Sequence, residues 1–420
     1  MKFAVTRNVL LAALNRAKCI INTKSSCGTF KTIVFSFPSF PEEEEQEEIK
    51  SVTIHTSDGQ QWYSETIPVT LESKSEPFRN FSVWYHDFIR AIRSLDEQPL
   101  LFHVGEMQMS VTHDCGSFRL PLENSAEEFV AIPKPSPDAD AADGFSMEYE
   151  SPVLRSIFTK CSYAMADDEL RPALNGIYMN LTKDYSDYVS SDGHKLVRVR
   201  KGAIETNGTG DCCLIIPART VRALLRILPT TGDVLFEYQE KTEKKVTKTS
   251  GSEVRSWTET VRKAAVRITI DDTITFSFYS VDGKYPKYWT VIPDTCNYEM
   301  VINRRKLIKS IDRLSIFANS RSEMLRLFVK EDVINMTCSD KDLETDGEET
   351  LSCDFSGKRL PLALRIGMKA SSLSATLKHL SSEEVIFKFI DSSQAVLILP
   401  QPQPDVEEVT MLLMPMMIND

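Results

Sequence analysis

The sequence lacks the segments that would tie it to a membrane or to an oxidising compartment. No apolar run approaches the roughly 20 residues of a membrane-spanning helix. Residues 1–7 have neither the apolar core nor the cleavage site of a signal peptide. The nine cysteines show no scaffold-like spacing, which favours a reducing compartment over a disulfide framework. We therefore expect a cytoplasmic protein with no membrane partner.

The signature motifs of several enzyme classes are also missing. There is no GxGxxG, Walker or GxSxG segment, and the six histidines form no HExxH set. His103, His113 and Cys115 lack a second cysteine pair at zinc spacing. We expect no metal, no cofactor and no catalytic residue. One alternative stays open, because Asp192 and His194 could form the acid–base pair of a hydrolase or nuclease, although Asp-Gly is more typical of a turn.

What the sequence does contain is a threefold pattern. Six stretches have apolar residues at the spacing of amphipathic helices, and the first stretch of each pair opens with a polar capping residue. Paired stretches start 76, 67 and 66 residues apart, and a third of the 420 residues is enough for one core. The pairs are 6–19 with 82–95, 150–164 with 217–228, and 303–317 with 369–380.

Short segments between these helices alternate with a period of two and are rich in β-branched and aromatic residues. This pattern indicates half-buried antiparallel strands. Each unit then has two helices and about eight strands, so the predicted fold class is α+β, with the helices on one face of a sheet. The predicted strands are 31–37, 51–56, 176–181, 195–199, 266–270, 274–279, 325–329 and 385–390.

Composition predicts where the three units meet. Residues 132–143 are rich in Pro, Ala and Asp and are interpreted as a linker, and a second break falls near 293–297. The polar stretches 41–48 and 239–262 are interpreted as a solvated loop and a hairpin, with no assigned role. The expected domains are 1–134, 144–293 and 294–420.

Positive charge is concentrated in the helical stretches of a chain whose net charge is −11. Their 82 residues include 17 Lys or Arg and three acids, a net charge of +14, so the other 338 residues carry −25. Solvent-facing decoration by good helix formers is an alternative, but Glu forms helices equally well and is nearly absent here. The pattern favours helices that face a polyanion such as duplex DNA. Because no base-reading motif is present, the contact would be with the DNA backbone.

Several groups of residues carry a family resemblance across all three units, in a consistent order. They are 1–3 (MKF) before a helix, 174–176 (LNG), 191–196 (SDGHKL), 281–288 (VDGKYPKY), 291–293 (VIP) and 414–416 (MPM). Together they resemble the bacterial sliding clamps, the β subunit of DNA polymerase III. The resemblance implies a head-to-tail homodimer of three-domain protomers, a six-domain ring lined by twelve helices that encircles double-stranded DNA.

The same resemblance implies the partners. It implies a non-catalytic processivity factor, associated with the nucleoid, that tethers the polymerase III alpha subunit, the clamp-loader delta subunit and repair proteins through clamp-motif peptides. A three-repeat adaptor that never touches DNA remains an alternative of a different class.

The resemblance also implies a peptide-binding pocket between the second and third domains. A largely apolar groove with a few polar anchors suits an extended peptide with Leu or Phe side chains, and methionines suit a surface that repacks for several partners. Residues 411–418 taken alone could equally be a buried terminal strand, and both can hold. The implied pocket residues are Leu174, Ser191, Gly193, His194, Lys195, Leu196, Pro286, Val291, Ser393, Ala395, Leu412, Leu413, Met414, Pro415, Met416 and Met417.

Two further contacts follow from the resemblance. The dimer interface would pair Phe118 and Leu120 with Ile316 and Phe317, whose apolar side chains fit an interface core or, alternatively, an ordinary domain core. The DNA contacts would be Lys24, Arg90, Arg171, Arg222, Arg226, Arg304, Arg305 and Lys309. The chain departs from the family in the Ser- and Cys-containing loop around Lys24, in having Lys195 where Arg is common, in the length of 239–262, and in residues 419–420 after the usual apolar end.

Overall fold

The computed structural model describes ten stretches of the chain. The loop predicted at 41–48, most of the linker predicted at 132–143, the tip of the 239–262 hairpin and residues 419–420 lie outside them. No helix within the described stretches is long and apolar enough to cross a membrane. The described residues are 1–38, 51–71, 79–123, 125–130, 134–138, 144–168, 170–208, 211–247, 257–357 and 363–418.

All six predicted helices are present in these residues, each within a few residues of the expected bounds, and one short helix (α3) was not predicted. Of the three expected polar caps, Asn303 accepts a hydrogen bond from the Lys306 backbone N–H at 3.0 Å, whereas Thr6 makes no side-chain cap bond. The helices are α1 (Arg7–Ala17), α2 (Tyr85–Arg93), α3 (Ser125–Val130), α4 (Ser151–Ser162), α5 (Ala218–Ile227), α6 (Arg304–Leu314) and α7 (Ala370–Lys378).

The strands are more numerous than predicted, and short strands directly precede α1, α4 and α6. The first half of the chain has β1 (Lys2–Thr6), β2 (Thr32–Ser36), β3 (Ser51–Ser57), β4 (Gln61–Pro68), β5 (Thr70–Leu71), β6 (Phe81–Trp84), β7 (Pro99–Val104), β8 (Gln108–His113), β9 (Gly116–Pro121), β10 (Gly144–Glu150), β11 (Gly176–Leu181), β12 (Tyr185–Ser191) and β13 (Lys195–Gly202). The second half has β14 (Cys212–Pro217), β15 (Asp233–Thr247), β16 (Trp257–Ile270), β17 (Ile274–Tyr279), β18 (Tyr298–Asn303), β19 (Met324–Val329), β20 (Val333–Asp340), β21 (Thr345–Ser352), β22 (Asp354–Gly357), β23 (Leu364–Lys369), β24 (Glu384–Phe389), β25 (Val396–Gln401) and β26 (Glu408–Leu413).

One compact unit contains two antiparallel sheets, in the orders β5-β1-β7-β8-β9 and β10-β15-β16-β17-β4-β3-β2-β6. Helices α1 and α2 pack together, and the Tyr85 hydroxyl donates to the Leu14 carbonyl at 3.0 Å. Arg16 of α1 pairs with the buried Glu65 of β4, which anchors the helix to the sheet. This unit comprises Met1–Val153, Glu205–Thr209 and Arg222–Ser280.

The second compact unit also contains two antiparallel sheets, in the orders β14-β11-β12-β13-β26-β25-β24-β18-β22 and β21-β20-β19-β23. Helices α6 and α7 pack together, and Ser374 donates to the Asp312 carboxylate at 2.7 Å. Arg313 of α6 forms a bidentate pair with Glu349 of β21, with both N–O distances 2.6 Å. This unit comprises Leu154–Ile204, Gly210–Val221 and Val281–Asp420.

Candidate functional site

The candidate site is built on the nine-stranded sheet, where β26 lies between β13 and β25. In register across these strands, Leu196 is opposite Leu412 and Leu412 is opposite Leu397. All three are almost fully buried in one apolar cluster, which also includes Leu174 from the 3-10 turn Pro172–Leu174. The structure therefore brings together four predicted pocket residues from distant parts of the sequence, Leu174, Leu196, Ala395 and Leu412. We call this cluster, with the half-buried Ala395 packed against it, the groove.

Three tyrosines form one wall of the groove, and sequence analysis assigned them no role. The Tyr178 and Tyr285 rings stack with their centroids 4.7 Å apart, and Tyr288 packs edge-on against Tyr285. The Tyr288 hydroxyl donates to the fully buried Asp187 carboxylate at 2.6 Å, and Arg200 forms two 2.7 Å bonds to the same carboxylate. Burial raises the pKa of both Tyr285 and Tyr288 above the ordinary value of 10. The signal was available, because Tyr285 and Tyr288 lie inside the 281–288 motif.

A tight turn between β12 and β13 forms the rim of the groove. Asp192 Oδ1 accepts hydrogen bonds from the backbone N–H groups of His194 and Lys195, at 2.8 and 2.9 Å. Gly193 has a φ of +92°, a left-handed conformation that costs glycine little. The Ser191 hydroxyl donates to the Lys195 carbonyl at 2.8 Å and closes the turn.

The electrostatics of this turn hold Asp192 as a carboxylate. Burial acts to raise the pKa of Asp192, but the two backbone donors and the Lys195 ammonium, 3.2 Å away, outweigh it and leave the pKa lowered. The Asp192 carboxylate thus accepts hydrogen bonds from backbone N–H groups and forms an ion pair with Lys195. The His194 side chain is exposed. This arrangement is a structural turn and not the acid–base pair of the hydrolase alternative.

The segment after β26 completes the rim. The Met414 backbone N–H donates to the His194 carbonyl at 2.8 Å, and the Met416 N–H donates to the Gly367 carbonyl of β23 at 2.8 Å. A Cβ on Gly367 would lie 2.7 Å from the Met416 carbonyl oxygen, so only glycine permits this approach. Met414 and Met417 are left exposed, at 43% and 85% of their accessible surface.

On the other face of the sheet, Lys195 contacts residues that sequence analysis did not identify. Its ammonium lies 5.7 Å from the centroid of the Tyr163 ring. The Tyr163 ring stacks on the His379 ring, with their centroids 4.4 Å apart. The buried Leu413, directly opposite Lys195 in register, alternates to this face and away from Leu412. Contact of Leu413 with a peptide in the groove therefore stays a prediction.

The remaining predicted pocket residues lie at the periphery. Pro286 and Val291 are exposed, and so is Trp289 between them, at 56%. Ser393 donates both its hydroxyl and its backbone N–H to the Asp391 carboxylate, at 2.9 and 2.8 Å. Pro415 and Met416 are half-buried. Within the described residues, no group of three or more His, Cys, Asp or Glu side chains is arranged to hold a metal ion.

Comparison with known proteins identifies the family. Residues 148–287 match the central domain of the DNA polymerase III beta subunit, and residues 289–416 match its C-terminal domain, together more than half of the chain. The chain belongs to the bacterial sliding clamps. The Treponema pallidum beta sliding clamp is 20% identical over 415 residues, which cover 98% of this chain and 99% of that protein. The Pseudomonas putida clamp is 24% identical over 318 residues, 76% of this chain and 74% of that protein.

Solved clamp structures share the fold. The DNA polymerase III beta subunits of Pseudomonas aeruginosa and Thermotoga maritima superimpose with TM-scores of 0.80 each, at 20% and 18% identity, and cover 100% of both chains. The family confirms the predicted α+β clamp class and the expectation of a non-catalytic subunit.

Most of the residues that we predicted to contact DNA are exposed in this chain. Lys24 lies in the loop after α1, and the others except Arg171 lie on α2, α5 and α6. Arg304 is the exception on α6, because its guanidinium donates to the carbonyls of Ser382 and Leu377, at 2.6 and 3.1 Å. Arg171 pairs with Asp168 at 2.8 Å and approaches Gly193, which places it at the groove rim.

The residues predicted for the clamp dimer contact are available for it. Phe118 and Leu120 are half-buried on β9, the edge strand of its five-stranded sheet. Ile316 and Phe317 lie on a 3-10 turn after α6 and are 76% and 39% exposed. Exposure of this degree excludes the ordinary-core alternative for Ile316, and the pairing itself stays a prediction.

Proposed function

We propose that this chain is a processivity factor that encircles duplex DNA as a head-to-tail homodimer of three-domain protomers, with domains at 1–134, 144–293 and 294–420. The observation that carries the proposal is the exposed basic surface of the helices in a chain whose net charge is −11. The chain is also a member of the sliding-clamp family. Helices facing the DNA would attract it, while the acidic remainder would not compete for it.

The mechanism follows from the strength of individual contacts. A Lys or Arg contact with a phosphate is weak and salt-sensitive, and it carries no sequence information. Many such contacts can exchange as the protein moves along the duplex. A closed ring then prevents dissociation, so enclosure rather than affinity provides processivity.

We further propose that the groove captures extended peptides from the polymerase III alpha subunit, the clamp-loader delta subunit and repair proteins. What supports this is a buried apolar floor beside exposed methionines, which suits leucine and phenylalanine side chains of different partners. One of the structural relatives, a sliding clamp of Pseudomonas aeruginosa, was solved bound to griselimycin.

The decisive test compares retention of the protein on circular DNA with its retention on the same DNA after linearisation. The protein is loaded with a matched clamp loader onto nicked circular DNA, and retention is compared before and after linearisation. Loss on linearisation is the expected result. Equal retention on both forms would indicate ordinary surface binding, and no binding, with a loader active on another clamp, would favour the adaptor.

A further inference from the structure

A second cavity lies on the same face of the nine-stranded sheet as the groove. Arg198 and Thr410 are paired in register, and each lies two residues along its strand from the groove leucines Leu196 and Leu412. Leu399 likewise lies two residues from Leu397 on β25. Side chains two apart on a strand share a face, so these residues form the row next to the groove. The cavity above this row has a volume of about 310 Å³.

The cavity and the groove share part of their lining. Leu397, Ile292 and Cys296 line the cavity and also belong to, or pack against, the apolar cluster of the groove. The two rows are separated by about 6.5–7 Å, the distance spanned by two residues of a strand. An extended peptide has the same spacing between alternate side chains, so a peptide anchored in the groove parallel to these strands would direct an alternate side chain into the cavity.

The charges around the cavity are mostly paired. Arg198 forms an ion pair with Glu408 and donates to Thr410 at 3.2 Å. Lys388 pairs with Glu299 at 2.7 Å, and these two residues are opposite in register on β24 and β18. Both cations on the lining are therefore neutralised by neighbours.

One carboxylate on the lining is left over. Asp294 is exposed, and it makes no ion pair or hydrogen bond with any other residue that the structure describes. An apolar floor of leucines and isoleucine below an uncompensated carboxylate matches a side chain with an aliphatic stem and a cationic end.

We propose that the second cavity receives a lysine or arginine side chain of the peptide that occupies the groove, at a position two residues beyond the groove anchor. The stem packs on Leu397, Leu399 and Ile292, and the cationic group pairs with Asp294. This inference rests on the proposed peptide-binding function and adds to it a charge preference of the partner.

The test uses the full-length protein and a fluorescein-labelled anchor peptide whose apolar residues are two leucines and a phenylalanine. Derivatives of this peptide are extended at either end by Ala-Arg or by Ala-Glu, and affinities are measured by fluorescence anisotropy. For one of the two ends, we expect the Arg derivative to bind about 3- to 10-fold more tightly than the Glu derivative, the combined effect of a covered stem and a partly exposed ion pair.

Two variants and a control assign the preference to the cavity. Asp294→Asn should remove most of the Arg preference and Asp294→Lys should reverse it. Both should leave the affinity of the unextended peptide unchanged, which also reports that the groove is folded. Asp184→Asn, on the exposed β11–β12 turn, makes the same charge change and should have no effect.

The outcomes distinguish failure of this inference from failure of the proposed peptide-binding function. If the anchor peptide binds but the Arg and Glu derivatives bind equally at both ends, the cavity assignment is overturned while the groove remains. The same conclusion follows if the Arg preference survives Asp294→Lys. If the anchor peptide does not bind at all, the peptide-binding function fails, and the inference fails with it.

Discussion

Asp192 illustrates how a residue that looks catalytic in sequence can be structural. Its carboxylate lies within 3 Å of two backbone N–H groups and close to the Lys195 ammonium. A carboxylate that accepts backbone hydrogen bonds organises a turn in the same way as an Asx turn. This turn places the His194 carbonyl where it accepts a hydrogen bond from the Met414 N–H. The carboxylate of Asp192 therefore stabilises the groove rim.

This assignment predicts a pH dependence. The folded-state pKa of Asp192 is lowered from 3.8, so its contribution to stability is present above the unfolded-state pKa and is lost as the pH falls through the folded-state value. We expect Asp192→Asn to lower the free energy of unfolding by about 1 kcal/mol near neutral pH. Urea unfolding at pH 7, 5, 4 and 3 should show this difference constant to about pH 4 and shrinking below it. A difference that stayed constant to pH 3 would contradict the assignment.

Gly367 is a second residue on which the rim depends. Gly367→Ala would place a Cβ 2.7 Å from the Met416 carbonyl and displace the segment that carries Met414 and Met416. We expect a destabilisation of about 1–3 kcal/mol, measured by thermal unfolding, and a several-fold loss of peptide affinity.

Gly202→Ala is the matched control for this substitution. Gly202 ends β13 in the nine-stranded sheet, and a Cβ there would meet nothing within 4 Å. Similar losses of peptide affinity in the two variants would show that close approach at Gly367 is not what holds the rim.

Among the elements, helices were more predictable than strands, for a physical reason. The helices α1, α2 and α4–α7 each bury one stripe and expose the other, which leaves a clear period in the sequence. Many strands are buried on both faces or have only four to six residues. Strands β1, β10 and β18, which end where the predicted helices begin, were not predicted. The short α3 has too few residues to show a helical period.

The groove was only partly predictable from sequence. Family motifs identified Leu174, Leu196 and Leu412, because these lie within or next to motif strings such as LNG and MPM. Leu397 and Tyr178 lie outside those strings. Leu397 enters the groove through the pairing of β25 with β26, and Tyr178 enters it through the stacking of its ring on Tyr285. Local periodicity carries no information about which strand becomes the neighbour of another.

Helix α6 provides a test of the DNA-facing surface, because adjacent basic residues on it have different environments. Arg305 and Lys309 are exposed, whereas Arg304 is bonded to backbone carbonyls near the end of α7. Arg305→Glu/Lys309→Glu should shorten retention on nicked circular DNA. In the proposed homodimer it removes four basic residues, so it should reduce the salt slope of DNA binding by up to about 4, because each phosphate that is no longer neutralised lowers the slope by roughly 0.9. Arg304→Ala should instead lower thermal stability.

A control with the same charge change separates local contact from net charge. Lys330→Glu/Lys341→Glu changes two exposed lysines at the ends of β19 and β20, in the four-stranded sheet. Retention on DNA and the salt slope should stay close to those of the unmodified protein. Equal effects of the two double variants would assign DNA binding to net charge and contradict a dedicated helical surface.

At the scale of the whole molecule, the central prediction concerns assembly. Ile316→Asp places a charge on an exposed apolar residue of the proposed dimer contact. Burying an unpaired carboxylate in an apolar contact should cost about 2 kcal/mol or more, about 30-fold in affinity. We expect sedimentation velocity to show monomers at concentrations where the unmodified protein is dimeric, and retention on circular DNA to be abolished.

Leu343→Asp is the control for assembly. Leu343 is 72% exposed on the turn between β20 and β21, so the substitution changes polarity to a similar degree outside the predicted contact. Its sedimentation should match that of the unmodified protein. A dimer that persisted in Ile316→Asp would assign the interface to other residues.

The position of β26 also has a consequence for the order of events during synthesis. Residues 408–413 pair with residues 195–200 on one side and with 396–398 on the other, so the nine-stranded sheet has a gap until β26 is translated. At about 5–20 residues per second, β13 waits on the order of ten seconds or more for this neighbour. A nascent chain therefore has no complete groove until β26 has been synthesised.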